Sequence, residues 1–207
     1  MPASRPPNLR RRPVQGRSRE TVEVILAAAA QVLERHGLAG FTTNAVAARA
    51  GVSIGSLYQY FPNKDALTVA LIARSTAALR GSLAEAVDQA AELPFQQGLA
   101  VVVRAAAAHQ MDRPVLERTL DYQEHRLGLA EGDAAHLVLI HSELVRFLEA
   151  HRDILVVSDL NKAAGDALAI GRALIDAAAF RGDSDVVCLE ADLVRTLSAF
   201  LVGTTTR

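Results

Sequence analysis

The chain has 207 residues, half of them hydrophobic, enough for one large domain or for a small domain joined to a larger one. Scarce aromatics favour helix over strand, a lone cysteine excludes a disulfide framework and fits a reducing cytoplasm, and no apolar stretch approaches the ~18 residues of a membrane span. The formal net charge of −1 hides an asymmetry: through Asp65 there are nine Lys/Arg against four Asp/Glu, and beyond it thirteen against nineteen, so the first part either meets a polyanion or serves as a solubilising tail.

Residues 1–17 combine Pro2, Pro6, Pro7 and Pro13 with Arg5, Arg10, Arg11 and Arg12. Such a segment buries no apolar surface and is expected to be a flexible basic arm. Glu20, Glu23 and Glu34 interrupt the apolar run that follows, which argues against a secretion signal. Val22, Ile25, Leu26, Ala29, Val32 and Leu33 recur at helical spacing, so a first helix is predicted over about 19–36, ended by Gly37. Thr43 is read as the cap of a short helix from Asn44 to Ala50, which stops at Gly51. Ser53 caps a third helix, Ile54 to Tyr60, broken at Pro62. Asn63 caps a fourth that runs to about Ala90, with Asp65 in its first turn. Five more helices are expected over about 95–110, 114–127, 133–150, 159–180 and 185–202. Nothing alternates with period two for long enough to make a strand, so the fold class is all-α, with about nine helices.

The second and third helices carry the chemistry. Two short helices meet at Gly51-Val52-Ser53, the layout of a helix-turn-helix whose second member enters a DNA major groove. Leu57 and Phe61, at i and i+4, supply the inward apolar face, and Gly55, Ser56, Tyr58 and Gln59 the slender polar outer one. The stretch from Phe41 to Leu67 contains Ala-Arg-Ala-Gly-Val-Ser at 48–53 and Gly-Ser-Leu-Tyr-Gln-Tyr-Phe-Pro-Asn-Lys-Asp-Ala-Leu at 55–67. It strongly resembles the DNA-binding domain of the TetR family, closely over about residues 18–80 and, beyond that, only in helix number and length.

The resemblance implies a helix-turn-helix DNA-binding domain at 18–64 and a ligand-binding and dimerisation domain at 65–207. It implies that Thr43 holds a phosphate, that Asn44 reaches a base or phosphate, and that Gly55 permits close approach to the duplex. Ser56, Tyr58 and Gln59 would face base edges, with Gln59 suited to a bidentate contact with adenine. Tyr60 and Lys64 would hold phosphates and set the register. Ser53 belongs to the same DNA-facing set. Ile54 is apolar where some members of the family carry a polar base-reader, so it either meets a thymine methyl or shields the interface. Arg17 and Arg19, with the arm, would add non-specific affinity along the phosphates or in a narrow minor groove.

One small helix pair reads too little sequence alone, and a two-fold dimer on a palindromic operator doubles the contacts. Leu168, Gly171, Leu174 and Ile175 on the eighth helix, and Leu189, Leu193, Leu197 and Phe200 on the ninth, are the expected pairing residues, with Ala167 and Ala178 allowing close approach. The resemblance places a cavity for a small-molecule effector between the middle helices. Val103, Met111, Tyr122, His125, His141 and Phe147 are its candidate lining, each more readily read as plain core than as pocket wall. The histidines at 109, 125, 136, 141 and 151 contain no i, i+4 pair, and neither a metal nor a cofactor is expected.

The expected function is a cytoplasmic, sequence-specific DNA-binding transcriptional regulator, a repressor released from its operator by a small-molecule inducer. Two rivals are an interaction module with non-specific nucleic-acid binding and an all-helical enzyme. For the enzyme the chain offers no phosphate loop or nucleophile elbow, only Asp121, Glu124 and His125 on one helical face.

Overall fold

A computed structural model describes residues 15–128, 135–183 and 185–203, with the side chains of 15–17 and 135–137 left aside. Most of the basic arm, with the side chain of Arg17, and the side chain of His136 therefore lie outside the described residues. Nine α-helices and one 3-10 turn form among the described residues, with no strand. No helix there is long and apolar enough to cross a membrane. The chain divides into two compact units, Met1–Leu67 and Thr68–Arg207.

The first unit contains α1 (Gln15–Gly40), α2 (Thr43–Ala50), α3 (Ile54–Tyr60) and the first turn of α4 (Lys64–Ala90). Ile25, Leu26, Ala29, Val32 and Leu33 are buried on one side of α1, and α1 packs on α2, which packs on α3. Gly37 does not end the first helix outright. It sits at φ 58°, a left-handed break, after which one further turn runs to Gly40 and the Phe41 N–H returns to the Gly37 carbonyl at 3.1 Å. The α2 cap is Thr42, not Thr43: Thr42 is extended (φ −124°, ψ 152°) and its hydroxyl accepts from the Ala45 N–H at 3.1 Å. Thr43 is already helical, which releases its hydroxyl for another contact. Gly51 adopts φ 68° and closes α2, its N–H and that of Val52 returning to the carbonyls of the last turn. Asn63 caps α4 by accepting from the Ala66 N–H at 2.8 Å.

The second unit holds the rest of α4, α5 (Phe95–Asp112), α6 (Pro114–Arg126), α7 (Ala135–Ala150), a 3-10 turn (Arg152–Ile154), α8 (Leu160–Arg181) and α9 (Val186–Val202). Asp159 and Asp185 cap the last two helices, accepting from the Lys162 and Cys188 N–H groups at 3.0 Å each. The core interleaves Val87 of α4, Leu99 and Val103 of α5, Phe147 and Leu148 of α7, Ala164 of α8 and Leu193 and Leu201 of α9. α5 and α9 lie against one another, as do α7 with α8 and α8 with α9. Phe147 stacks on Phe95 at 5.7 Å between ring centres and touches the His151 ring at 4.6 Å. Gly98 admits this packing, since a Cβ there would stand 3.0 Å from the Ala90 carbonyl oxygen and 3.1 Å from the Phe147 ring.

Candidate nucleic-acid interface and internal cavity

In the first unit, α3 is held as a short outward-facing rod. The Ser53 hydroxyl accepts from the Ser56 N–H at 3.0 Å and pairs with the Ser56 hydroxyl at 2.8 Å, so both serines are engaged in the cap. Leu57 is completely buried and Phe61 nearly so, which fixes the rotation of α3 about its axis. The opposite side presents Ile54, Gly55, Tyr58 and Gln59 to solvent, with Tyr58 49% exposed. Gln59 makes no hydrogen bond among the described residues, so both ends of its amide face outward unpaired.

Tyr58 also reaches back to α2. Its hydroxyl lies 3.2 Å from the Thr43 hydroxyl and ties the start of α2 to the middle of α3. Asn44, next to Thr43, is exposed, and Tyr60 is half-buried. Lys64 is committed within the chain: its ammonium donates to the Leu38 carbonyl at 3.1 Å and stands 5.4 Å over the Phe41 ring. Arg19 is exposed on α1. Thr43 at the start of α2 thus extends the polar surface of Tyr58 and the unpaired Gln59 on α3, a rod narrow enough for a major groove about 12 Å wide.

The second unit holds a cavity of about 680 Å³ that opens to solvent. Its wall is mostly apolar, from Leu79, Leu83 and Val87 of α4 to Leu193, Leu197 and Leu201 of α9. Of the six residues proposed from sequence as lining, Val103 and His141 are in the wall, His141 with its Nε2–H on the Asn161 carbonyl at 2.7 Å. The other four lie outside it. Phe147 is fully buried in the aromatic cluster, and Met111 is half-buried away from the cavity. Tyr122 is 62% exposed, and the exposed His125 ring bonds the carbonyl of its own Asp121 at 2.8 Å.

The residues expected at a dimer seam are partly spent inward. Leu168, Gly171, Ile175, Leu193 and Leu197 line the cavity, Leu189 is buried, and Leu174 and Phe200 are half-buried against the core. An apolar helical face shows in sequence, but what it faces does not.

The wall also carries polar groups that periodicity passed over: Gln110, Asp121, Arg172 and Asp176. Arg172 donates to Asp121 at 2.8 Å and to Glu124 at 3.4 Å, and Gln110 donates to Asp121 at 3.2 Å. Burial pushes the Asp121 carboxyl above its ordinary value; Arg172 and the Gln110 bond oppose the rise, while Asp176 and Glu124 add to it. A second cluster joins three helices beside the cavity. Ser75 of α4 donates to Glu117 of α6 at 2.5 Å, so the Nε2–H of the lining residue His109 donates to the Ser75 oxygen at 3.0 Å. No group of three or more metal-ligating side chains comes together among the described residues.

The model of the family "Bacterial regulatory proteins, tetR family" matches residues 25–83, and that of "Tetracyclin repressor-like, C-terminal domain" matches residues 94–201. Among solved structures, the chain is similar to the fatty acid degradation regulator FadR of Bacillus halodurans, with 17% identity, TM-score 0.74, and 90% of this chain and 97% of that one covered. It is similar to a TetR-like transcriptional regulator of Rhodococcus sp. RHA1, with 20% identity, TM-score 0.64, and coverage of 86% and 94%. It is also similar to SmeT in a triclosan complex, with 22% identity, TM-score 0.64, and coverage of 91% and 98%. At these identities the likeness is one of fold. No curated protein sequence matches the chain.

Proposed function

Because the chain belongs to the TetR family of bacterial regulatory proteins, we propose that it is a homodimeric repressor that grips a palindromic operator and releases it when a small molecule fills the cavity of the second unit. It acts by binding rather than catalysis, in the cytoplasm, on double-stranded DNA. The observation that carries the reading is the outer side of α3: Tyr58 and the unpaired Gln59 exposed on a rod whose other side is locked by Leu57 and Phe61.

In this reading Gln59 reads a base edge, Gly55 lets the backbone approach, and Thr43, Asn44, Tyr60 and Lys64 hold phosphates with Arg17 and Arg19. Ser53 and Ser56 contribute first by capping α3, and Ser56 shares the DNA-facing side. Pairing through α8 and α9 is supported by apolar side chains left in water on these helices, Phe180 at 90% exposure and Val187 at 76%. A cavity of this size fits a drug-sized ligand, and SmeT with triclosan supplies a fold analogue that holds one. Such a ligand acts only by binding one arrangement of the dimer better than another.

The test is selection of bound fragments from a random DNA pool, repeated with Tyr58→Ala and Lys64→Ala. The expected result is one palindrome preferred over random DNA by about a thousandfold or more, with both variants weaker. Enrichment of no sequence at low salt would overturn the reading in favour of a non-specific interaction module.

A further inference from the structure

Resting on the reading of the cavity as the effector site, we propose that this cavity selects an amphipathic ligand with a cationic head, an alkylated or protonated amine, over an anionic one such as an acyl carboxylate. Most of the wall offers only hydrocarbon, so the body of the ligand is apolar. The polar wall made by Gln110 of α5, Asp121 of α6 and Arg172 and Asp176 of α8 gathers the side chains that can take its head.

The charge balance of that wall is one-sided. The Arg172 guanidinium is shared between Asp121 at 2.8 Å and Glu124 at 3.4 Å, so it already faces two carboxylates. Asp176, one turn further along α8, brings a third and has no hydrogen bond or ion pair among the described residues. Three carboxylates therefore meet one cation. The other charges on the wall do not offset this. Glu143 is paired with Arg146 at 2.7 Å, His141 donates to a backbone carbonyl, and His109 is bonded to Ser75 with Glu117 behind it.

A ligand carboxylate would have to draw Arg172 away from Asp121 or Glu124 and then lie near Asp176, leaving like charges together with water displaced. A ligand cation meets surplus negative charge, from the half-buried Asp121 and the exposed Asp176, and it gains the unpaired Asp176 without breaking any bond in the wall. Arg172 then serves as the brace that holds Asp121 in place, not as the ligand's anchor.

The experiment uses the full-length protein and three probes of one chain length: decyltrimethylammonium, 1-decanol and decanoate, each below its micelle concentration, with binding followed by calorimetry. The expected order is the cation first, the alcohol at least tenfold weaker and the carboxylate weakest. Asp176→Asn, at an exposed site that tolerates the change, lowers the ratio of cation to alcohol affinity about tenfold, and Asp121→Asn lowers it as well. If none of the three probes binds, the effector-cavity reading itself falls, and the proposal with it. If the alcohol binds as well as the cation, if decanoate binds best, or if Asp176→Asn leaves the ratio unchanged, the cavity reading stands and the choice of a cation is overturned.

Discussion

Gly171 offers a substitution whose sign follows from the geometry of the cavity. It lies in the middle of α8 and lines the cavity, and a Cβ built on it meets nothing within 4 Å. Glycine in a helix interior is about 1 kcal/mol less favourable than alanine, because it gives up more backbone freedom on folding. Gly171→Ala recovers that amount without a clash and should raise the melting temperature by roughly 2–4 °C for a chain of this length. Gly98→Ala is the internal control. The same helical gain is available there, but the new carbon stands 3.0 Å from the Ala90 carbonyl oxygen and 3.1 Å from the buried Phe147 ring. Overpacking of this kind costs about 1–3 kcal/mol, so the variant should be less stable, not more. Thermal and urea denaturation of the two variants beside the parent measure both effects, and sedimentation reports the dimer. A Gly171→Ala protein that melts lower, or that dissociates, would refute the reasoning: the space beside Gly171 would then belong to a partner helix, not to a cavity.

Gln59→Ala should relax sequence preference at a single operator position by about 1–3 kcal/mol, measured on a panel of single-base operator variants; uniform weakening across the panel would reassign Gln59 to phosphate binding. Ser53→Ala removes the oxygen that accepts from Ser56 N–H and should lower stability by about 1 kcal/mol in urea. Phe147→Ala should cost about 3–5 kcal/mol, as expected of a core ring and not of a pocket wall, whereas Val103→Ala at the cavity should change effector affinity with a smaller stability loss. Asp121 gives a pH signature. Its folded value is raised from 3.8, so the stability it contributes is full below 3.8 and is lost as pH rises through the raised value. The stability of Asp121→Asn relative to the parent should therefore increase as pH rises from 3.8 through the raised value in urea titrations, and a decrease over that rise would show that the Arg172 attraction outweighs burial.

The helix-turn-helix was legible because its determinants are local. Ser53, Asn63 and Gly51 act within three or four residues of where they stand, and Leu57 with Phe61 orients α3 by spacing alone. The one slip there, Thr43 for Thr42, arose where two threonines in a row are equally able to cap, and only the extended backbone of Thr42 separates them. Helix order in the second unit was legible for the same reason, since Pro94 and Pro114 open helices and Asp159 and Asp185 cap them.

The cavity was not legible, because an apolar stripe looks the same whether it meets side chains, a partner or empty space. Phe147 and Val103 both fit the helical period, yet one is sealed among rings and the other borders the void. The surplus of apolar positions on α8 and α9, read as a dimer seam, also serves the inside of each chain, where Leu193 and Leu197 close the cavity. The polar wall, by contrast, left a mark. Arg172 sits between Gly171 and Ala173 in a helix otherwise rich in alanine, leucine and isoleucine, and a half-buried guanidinium there is stabilised by carboxylate partners. Asp121 and Glu124 supply them across 51 and 48 residues of chain, a distance no local rule spans. Arg172 states the demand and only the tertiary structure names the supplier. Within α8, Arg172 is therefore a better pointer to the polar end of the cavity than any apolar residue on the same helix.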